Sequence, residues 1–370
     1  TDDHVFETRS NGWITAGAVI SNSHGLTKQN DGVLQLSATN VYTGSTAHTM
    51  TPSELAADMV TKGAKVVIFN SDDQKDHAIK FAQENPEVFV IHASGDTAWK
   101  EGKNYIDLPN MKNIMGRMEY GKAIAGCAAA LTSQTGKIGF LGPLINDETR
   151  RFAASSYLGA KYCWEEYLGK DPADLEFKVT WIGFWFNIPG VTSDPTQVAQ
   201  NFFNTGYDVV LSGIDTTEAL TVAGQKKKEG KNVWGVPYDY IGACQGAPDV
   251  CLGVPYFNWG PAYIPFVKAA VTKTWKQEWL WLGPDWKDIN NPDTSIVGFV
   301  PGKALPAGAK PALDQFVKDL GSGAANLFKG PLNYQDGTVF VKAGETAGDK
   351  QIWHMEQLLQ GMQGQSSAKK

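Results

Sequence analysis

V-T-W-I-G-F-W-F-N-I-P-G-V-T-S-D-P-T-Q-V-A-Q-N-F-F-N-T-G-Y-D-V-V-L-S-G-I-D, residues 179–215, is the stretch whose reading decides the fold. It opens as a strand whose tip carries Trp181, Phe184, Trp185 and Phe186. A Pro/Gly loop follows, then a helical segment from Asp194, then a second apolar run ending on Gly213 and Asp215. Strand, helix and strand make a βαβ unit, and sheets of that kind bind ligands at the C-terminal edge of their strands. Flat rings at one strand tip and an acid at the next suit a planar molecule carrying N–H or O–H donors. A plainer reading stands beside it, with the aromatics in the core and Asp215 capping the helix of D-T-T-E.

Outward from this stretch the alternation continues. Toward the N-terminus, K-V-V-I-F-N (65–70), 88–92, 104–108 and 137–141 read as short apolar strands, with helices expected at 52–62, 73–85, 113–133 and 147–168. Toward the C-terminus a helix at 216–230 leads to a strand at 232–236 that ends in Pro237-Tyr238-Asp239. Alternation with short connections gives a parallel, doubly wound sheet. Its restart after Pro109-Asn110 indicates two similar lobes. Before residue 52, a small-residue helix is expected from Gly12 to Asn22 and a strand over 33–41. After 252 come one more strand, a helix from Trp259, a tryptophan cluster, a helix at 311–328, a hairpin at 331–342 and a last helix at 349–362. The tryptophans at 275–286 read as packing between helix and sheet.

The chain of 370 residues is 42% hydrophobic and only 19% charged, enough apolar matter for real cores. With 33 basic and 39 acidic residues its net charge is −6, which gives no electrostatic case for nucleic acid or anionic lipid. No apolar run approaches the ~20 residues that span a bilayer. The abrupt start at Thr1-Asp2-Asp3 fits a processed or trimmed N-terminus. Of the cysteines, Cys127 and Cys163 sit in small or apolar helical surroundings and read as buried thiols. Cys244 and Cys251 flank a short loop with no further ligand near, the spacing of a local disulfide in an oxidising compartment.

Signatures of catalysis are missing. No phosphate loop, dinucleotide fingerprint, nucleophile elbow or H-E-x-x-H occurs, and the histidines show no pair at metal spacing. No cofactor and no metal is expected. His92, at a strand end, is the one histidine placed to face a cleft, and a structural role suits it better.

Several ordered segments carry a resemblance. They include E-Y-G-K-A-I-A-G-C-A-A-A with T-G-K-I-G-F-L-G (119–142), N-D-E-T-R-R-F-A-A-S-S-Y-L-G-A-K (146–161), and W-I-G-F-W-F-N with its D-P (181–195). G-Y-D-V-V-L-S-G-I-D-T-T (206–217), N-W-G-P-A-Y-I (258–264), W-K-Q-E-W-L-W-L-G (275–283) and F-K-G-P-L-N-Y-Q-D-G (328–337) continue the set. In order and spacing the chain resembles the BMP/PnrA-like solute-binding proteins of ABC importers.

That resemblance implies an α/β, type I periplasmic-binding-protein fold: two Rossmann-like lobes with parallel sheets joined by a hinge. One lobe would comprise 1–111 and about 252–285, the other 112–251 and about 286–362, with 363–370 a disordered tail. It implies an extracytoplasmic receptor, at the periplasmic or outer face of the membrane and compatible with a lipid anchor outside this chain. The receptor would be a monomer that hands a purine base or nucleoside to a membrane permease. Family members stack the purine between aromatics, here Trp13 and Trp185, with Phe186 as substitute. Asp215 and Asp239 match acids at strand ends, Asn70 the corresponding end in the first lobe, and Glu148 and Trp259 cleft-facing positions. The first-loop pattern is replaced here by E-T-R-S-N-G, and Ile188–Ser193 looks like an insertion. Carboxylates accepting from the ring edge make the stronger bonds, about 1.5–3 kcal/mol. Plainer roles stand beside these: Trp185 as core wall, Asp239 as a surface turn residue, and Glu148 as a solvated helix-start acid. The rival functions are a sugar or other ring-shaped ligand on the same fold, and a nucleoside-processing enzyme.

Overall fold

A computed structural model of the chain describes residues 51–367 throughout and, before them, only the backbone of four short strands. These are β1 (Val5–Glu7), β2 (Ile14–Ala16), β3 (Thr27–Gln29) and β4 (Leu34–Leu36), paired in parallel as β1 with β3 and β2 with β4. A strand therefore stands at 14–16, where a helix was expected. Trp13 lies outside the described residues.

From there the chain runs α1 (Pro52–Thr61), β5 (Val66–Phe69), α2 (Lys75–Glu84), β6 (Phe89–Ala93) and β7 (Met111–Gly116). Next come α3 (Met118–Thr132), β8 (Lys137–Gly142), α4 (Asp147–Glu166), β9 (Glu176–Trp181), α5 (Pro195–Asn204), β10 (Val209–Ser212), α6 (Glu218–Lys228) and β11 (Trp234–Val236). The last part holds β12 (Gly253–Phe257), α7 (Gly260–Val271), β13 (Glu278–Leu282), β14 (Val297–Pro301) and α8 (Lys310–Ser322). It closes with β15 (Leu332–Asn333), β16 (Val339–Val341), α9 (Asp349–Trp353) and β17 (Met362–Gln363).

The chain divides into two compact units, Thr1–Gly116 with Trp259–Leu282, and Arg117–Asn258 with Gly283–Lys370. The first holds a parallel sheet in the order β13-β7-β6-β5. Thr51 caps α1 by accepting from the Glu54 amide, with Pro52 in the first turn. α1 and α2 close one face over Val67, Phe69, Phe81 and Val90. β7 occupies residues expected to begin a helix, and all six of them are buried, as a central strand covered on both faces requires. No strand forms at 104–108. The tryptophan run instead supplies β13, where the Trp279 ring stacks on Trp99 at 4.1 Å and 8°. His92 is fully buried; its Nε2 meets the Ser71 carbonyl at 3.0 Å and its Nδ1 the Asn113 amide nitrogen at 3.2 Å. Those bonds suit a neutral, structural imidazole, and burial lowers its pKa.

The second unit holds a parallel sheet in the order β11-β10-β8-β9-β17. β9, α5 and β10 form the expected βαβ unit, with β8 lying between the two strands. One face of the sheet packs Leu141, Phe202, Phe203, Val210 and Ile214 against α5 and α6. On α3 and α4, a Cβ at Gly126 would fall 1.9 Å from the Ser156 carbonyl oxygen, and one at Gly159 would fall 2.1 Å from that of Ala123. Only glycine permits so close a crossing. It brings Cys127 and Cys163 within 5.3 Å, Cα to Cα, and they form a disulfide, which corrects the reading of both as free thiols. Cys244 and Cys251 are bridged as well, at a Cα separation of 5.6 Å.

Candidate functional site

The parallel register of the second sheet aims four strand ends the same way, and each end delivers a candidate side chain. β8 leads through Asn146 into α4, whose first turn holds Glu148. β9 leads into the loop of Trp185 and Phe186, β10 to Asp215, and β11 to Asp239. Sheet topology thus collects Glu148, Trp185, Phe186, Asp215 and Asp239 at one edge of one unit. Asn70, just past β5, and Trp259, which precedes α7 and lies 6.0 Å from Tyr263 ring to ring, belong to the first unit.

Phe184, Trp185 and Phe186 stand beyond the end of β9, not on it, and Trp185 and Phe186 are half-buried. Phe184 meets Phe186 edge-on at 4.9 Å. Segment 188–193 is closed by the Ile188 amide donating to Thr192 Oγ1 at 2.8 Å and tied back to the end of β9 by the Ser193 amide donating to the Ile182 carbonyl at 2.9 Å. The Asp215 amide donates to the Trp185 carbonyl at 2.9 Å, so ring and acid share one backbone contact. Asp215 is not the cap of α6: that position is Thr217, which makes no side-chain cap bond. Beside it, Thr216 Oγ1 and Glu218 Oε2 are buried and without a hydrogen-bond partner among the described residues.

Glu148 is not a solvated helix-start acid. Its side chain is 13% exposed, and its Oε2 lies 3.9 Å from Arg151 Nη2. Arg151, buried, donates from Nε to Glu119 Oε1 at 2.6 Å and lies with its guanidinium 4.3 Å from the Trp353 ring centroid. Burial raises the Glu119 pKa, with Arg151 opposing.

Asp239 is no ordinary turn residue either. Its backbone has φ +85°, which non-glycine residues seldom adopt, and it is held there by its amide donating to the Pro255 carbonyl at 3.2 Å and its carbonyl accepting from the Phe257 amide at 3.0 Å. Part of the residue remains accessible, yet packing around the carboxyl pushes its pKa up to about 6, with Lys122 opposing.

Lys122, on α3, is the residue that sequence reasoning missed. It is 1% exposed, donates from Nζ to the Ser212 carbonyl at 2.7 Å and stands 3.4 Å from the Tyr238 ring centroid. Burial drives its pKa well down, while Asp239, Asp215 and Glu148, in that order, draw it back up. Tyr238 feels the same acids: burial raises its pKa well above the usual value, and Asp239, Glu148, Asp215 and Glu119 raise it further. The signal for Lys122 was a lone basic residue in the small-residue run G-K-A-I-A-G, where the helix needs no charge. Among the described residues, no group of His, Cys, Asp and Glu could hold a metal ion.

Chemically, this edge offers half-buried rings and three acidic side chains whose field reaches the buried Lys122, an arrangement that can stack on a flat ring and accept hydrogens from its rim. The chain is 29% identical to a purine-binding protein of Brucella abortus over 300 residues, 81% of this chain and 76% of that one. It is 23% identical to a Haloferax volcanii protein provisionally named an ABC transporter glucose-binding protein, over 62% of this chain and 52% of that one. Among solved structures, ABC transporter solute-binding proteins of Aeropyrum pernix K1 and Conexibacter woesei share the fold, at TM-scores of 0.56 and 0.51 and 14% identity. The first match covers 76% of this chain and 79% of that one, the second 74% and 82%. The family model described as ABC transporter substrate-binding protein, PnrA-like, matches residues 54–289, more than half of the chain, and the protein therefore belongs to the Bmp (PnrA-like) family of ABC transporter substrate-binding proteins.

Proposed function

We propose that this substrate-binding protein takes a purine base or purine nucleoside, stacking the ring on Trp185 or Phe186 and gripping its edge with Asp215, Asp239 and Glu148. The observation that carries the reading is the gathering of those side chains at one sheet edge, with Asp215 bonded to the backbone of Trp185. The purine-binding relative from Brucella abortus supports it. Trp13, Asn70 and Trp259 join the proposal on the sequence resemblance alone. An ionised carboxylate meeting a ring N–H or exocyclic amine makes a charge-assisted bond, about twice as strong as a neutral one. An analogue lacking the donor leaves a buried acid unpaired and is rejected.

Substrate-binding proteins of ABC transporters are extracytoplasmic, and two disulfides suit such a compartment. The permease of the importer is the partner the family implies, and no described helix is long and apolar enough to cross a membrane. We assign the protein no reaction of its own: its role ends at binding and delivery. A sugar is the second reading, favoured by the glucose-named relative and by the affinity of sugars for tryptophan faces. Calorimetric titration with adenine, guanine, hypoxanthine, adenosine and glucose separates the two. Saturable binding of a purine, unaffected by excess glucose, supports the proposal; binding of glucose alone overturns it.

A further inference from the structure

We infer that Thr192 is a positioning residue for the ring platform: its hydroxyl latches the loop that carries Phe184, Trp185 and Phe186, so that a flat ligand meets a wall already formed. The inference deepens the purine reading and rests on it only for what the rings hold.

The loop is tied at both ends and once in between. Ile182, buried, opens it, and its amide donates to the Gly142 carbonyl at 2.9 Å. Asp194 ends it by accepting from the Thr196 amide at 2.8 Å at the start of α5. The Ser193 amide closes the base on the Ile182 carbonyl, and the Asp215 amide holds the Trp185 carbonyl, each at 2.9 Å. No helix or strand forms between Ile182 and Asp194, and the chain turns at Gly183 and Gly190, whose φ values are +108° and +80°.

The tip gains little from packing. Pro189 and Gly190 are exposed, and Val191 is 77% exposed. Thr192, half-buried, gathers it instead. Its Oγ1 accepts from the Ile188 amide at 2.8 Å, and its hydroxyl faces Asn187 Oδ1 at 3.0 Å and the Ile188 carbonyl at 3.2 Å. That carbonyl also takes the Val191 and Thr192 amides, each at 3.0 Å. One side chain thus grips Asn187 and Ile188, the two residues that follow Phe186, and the Phe186 ring meets Phe184 edge-on. Loops with few buried apolar contacts open locally at little cost, so this hydroxyl decides how often the loop is ordered. A loop ordered beforehand spares the ligand that loss of entropy. Thr192 is not offered as a ligand contact; it acts through the residues it holds.

Amide hydrogen exchange in the ligand-free protein tests the latch first. In T192V, which keeps the shape of the side chain and removes its hydroxyl, the Ile188 and Asp215 amides should both exchange about tenfold faster or more. In T192S, which restores the hydroxyl, both should return toward the wild-type rate. Faster exchange at Ile188 alone would leave the tip unconnected to the platform and overturn the inference, as would unchanged exchange at both. Adenine affinity should fall about threefold in T192V, as it does when the presenting conformation drops to about a third of the population, and recover in T192S. Unchanged affinity in T192V overturns the inference whatever the melting temperature, because a hydroxyl that serves stability alone would move only the melt. Should no purine bind the wild type, the ligand reading fails by itself, and exchange at Ile188 and Asp215 still decides the role of Thr192.

Discussion

The amide of Asp215 donates to the carbonyl of Trp185 at 2.9 Å, which ties the end of β10 to the loop after β9 although β8 lies between the two strands. Ring and acid are therefore positioned as one piece. Trp185→Ala should weaken purine binding about tenfold or more, from lost stacking and lost ring burial together. Because Trp185 is half-buried, its loss should lower the melting temperature only slightly. Calorimetry paired with thermal melts checks this, and a large drop in melting temperature with unchanged affinity would make the ring a core wall.

Asp239 sets a pH limit. Its pKa in the folded chain is about 6, above the ordinary carboxyl value, so it is ionised at pH 7.5 and increasingly protonated below 6. Affinity for a ligand that donates to it should hold from pH 7 to 8 and fall as pH drops through about 6. Asp239→Asn should bind more weakly at pH 7.5, and its affinity should lose that dependence. A wild-type profile flat from pH 5 to 8 would remove Asp239 from the ligand's partners.

Arg151 joins Glu119 to Glu148 and is 1% exposed. Arg151→Met strands Glu119 as a buried, uncompensated acid and should cost about 3–5 kcal/mol in urea unfolding. The double variant E119Q/R151M should recover a large part of that loss. If the single variant costs less than about 1 kcal/mol, the pair does not anchor this edge.

The α3–α4 crossing depends on two glycines and a bridge. Removing the Cys127–Cys163 link, which spans 36 residues, should cost about 4 kcal/mol on chain-entropy grounds, against about 2 kcal/mol for Cys244–Cys251, which spans 7. Gly126→Ala sets a Cβ 1.9 Å from the Ser156 carbonyl oxygen and should separate the helices. Chemical denaturation of the two cysteine-to-alanine pairs and of G126A checks the order of these effects.

Much of this architecture is legible in the chain because buried parallel strands are short, continuous and apolar. K-V-V-I-F-N and D-V-V-L-S can hardly be anything else, and both became strands of parallel sheets. M-K-N-I-M-G was harder: with few β-branched residues it reads as the first turn of the helix after it, and only burial on both faces makes it β7. E-W-L-W-L reads as packing because tryptophan is so often core, yet it pairs in parallel with β7 as a strand. At the candidate site, residues at strand ends were readable, since topology alone collects them. Lys122, Arg151 and Glu119 were not, because they reach the site from helices, through a crossing set by Gly126 and Gly159 that no local pattern announces.

Mass spectrometry of the small molecules released on denaturing freshly purified protein bears most directly on the central claim. A purine base or nucleoside recovered intact, near one per chain, is the result this account requires. A sugar in its place, or a purine recovered only as cleaved products, would contradict it.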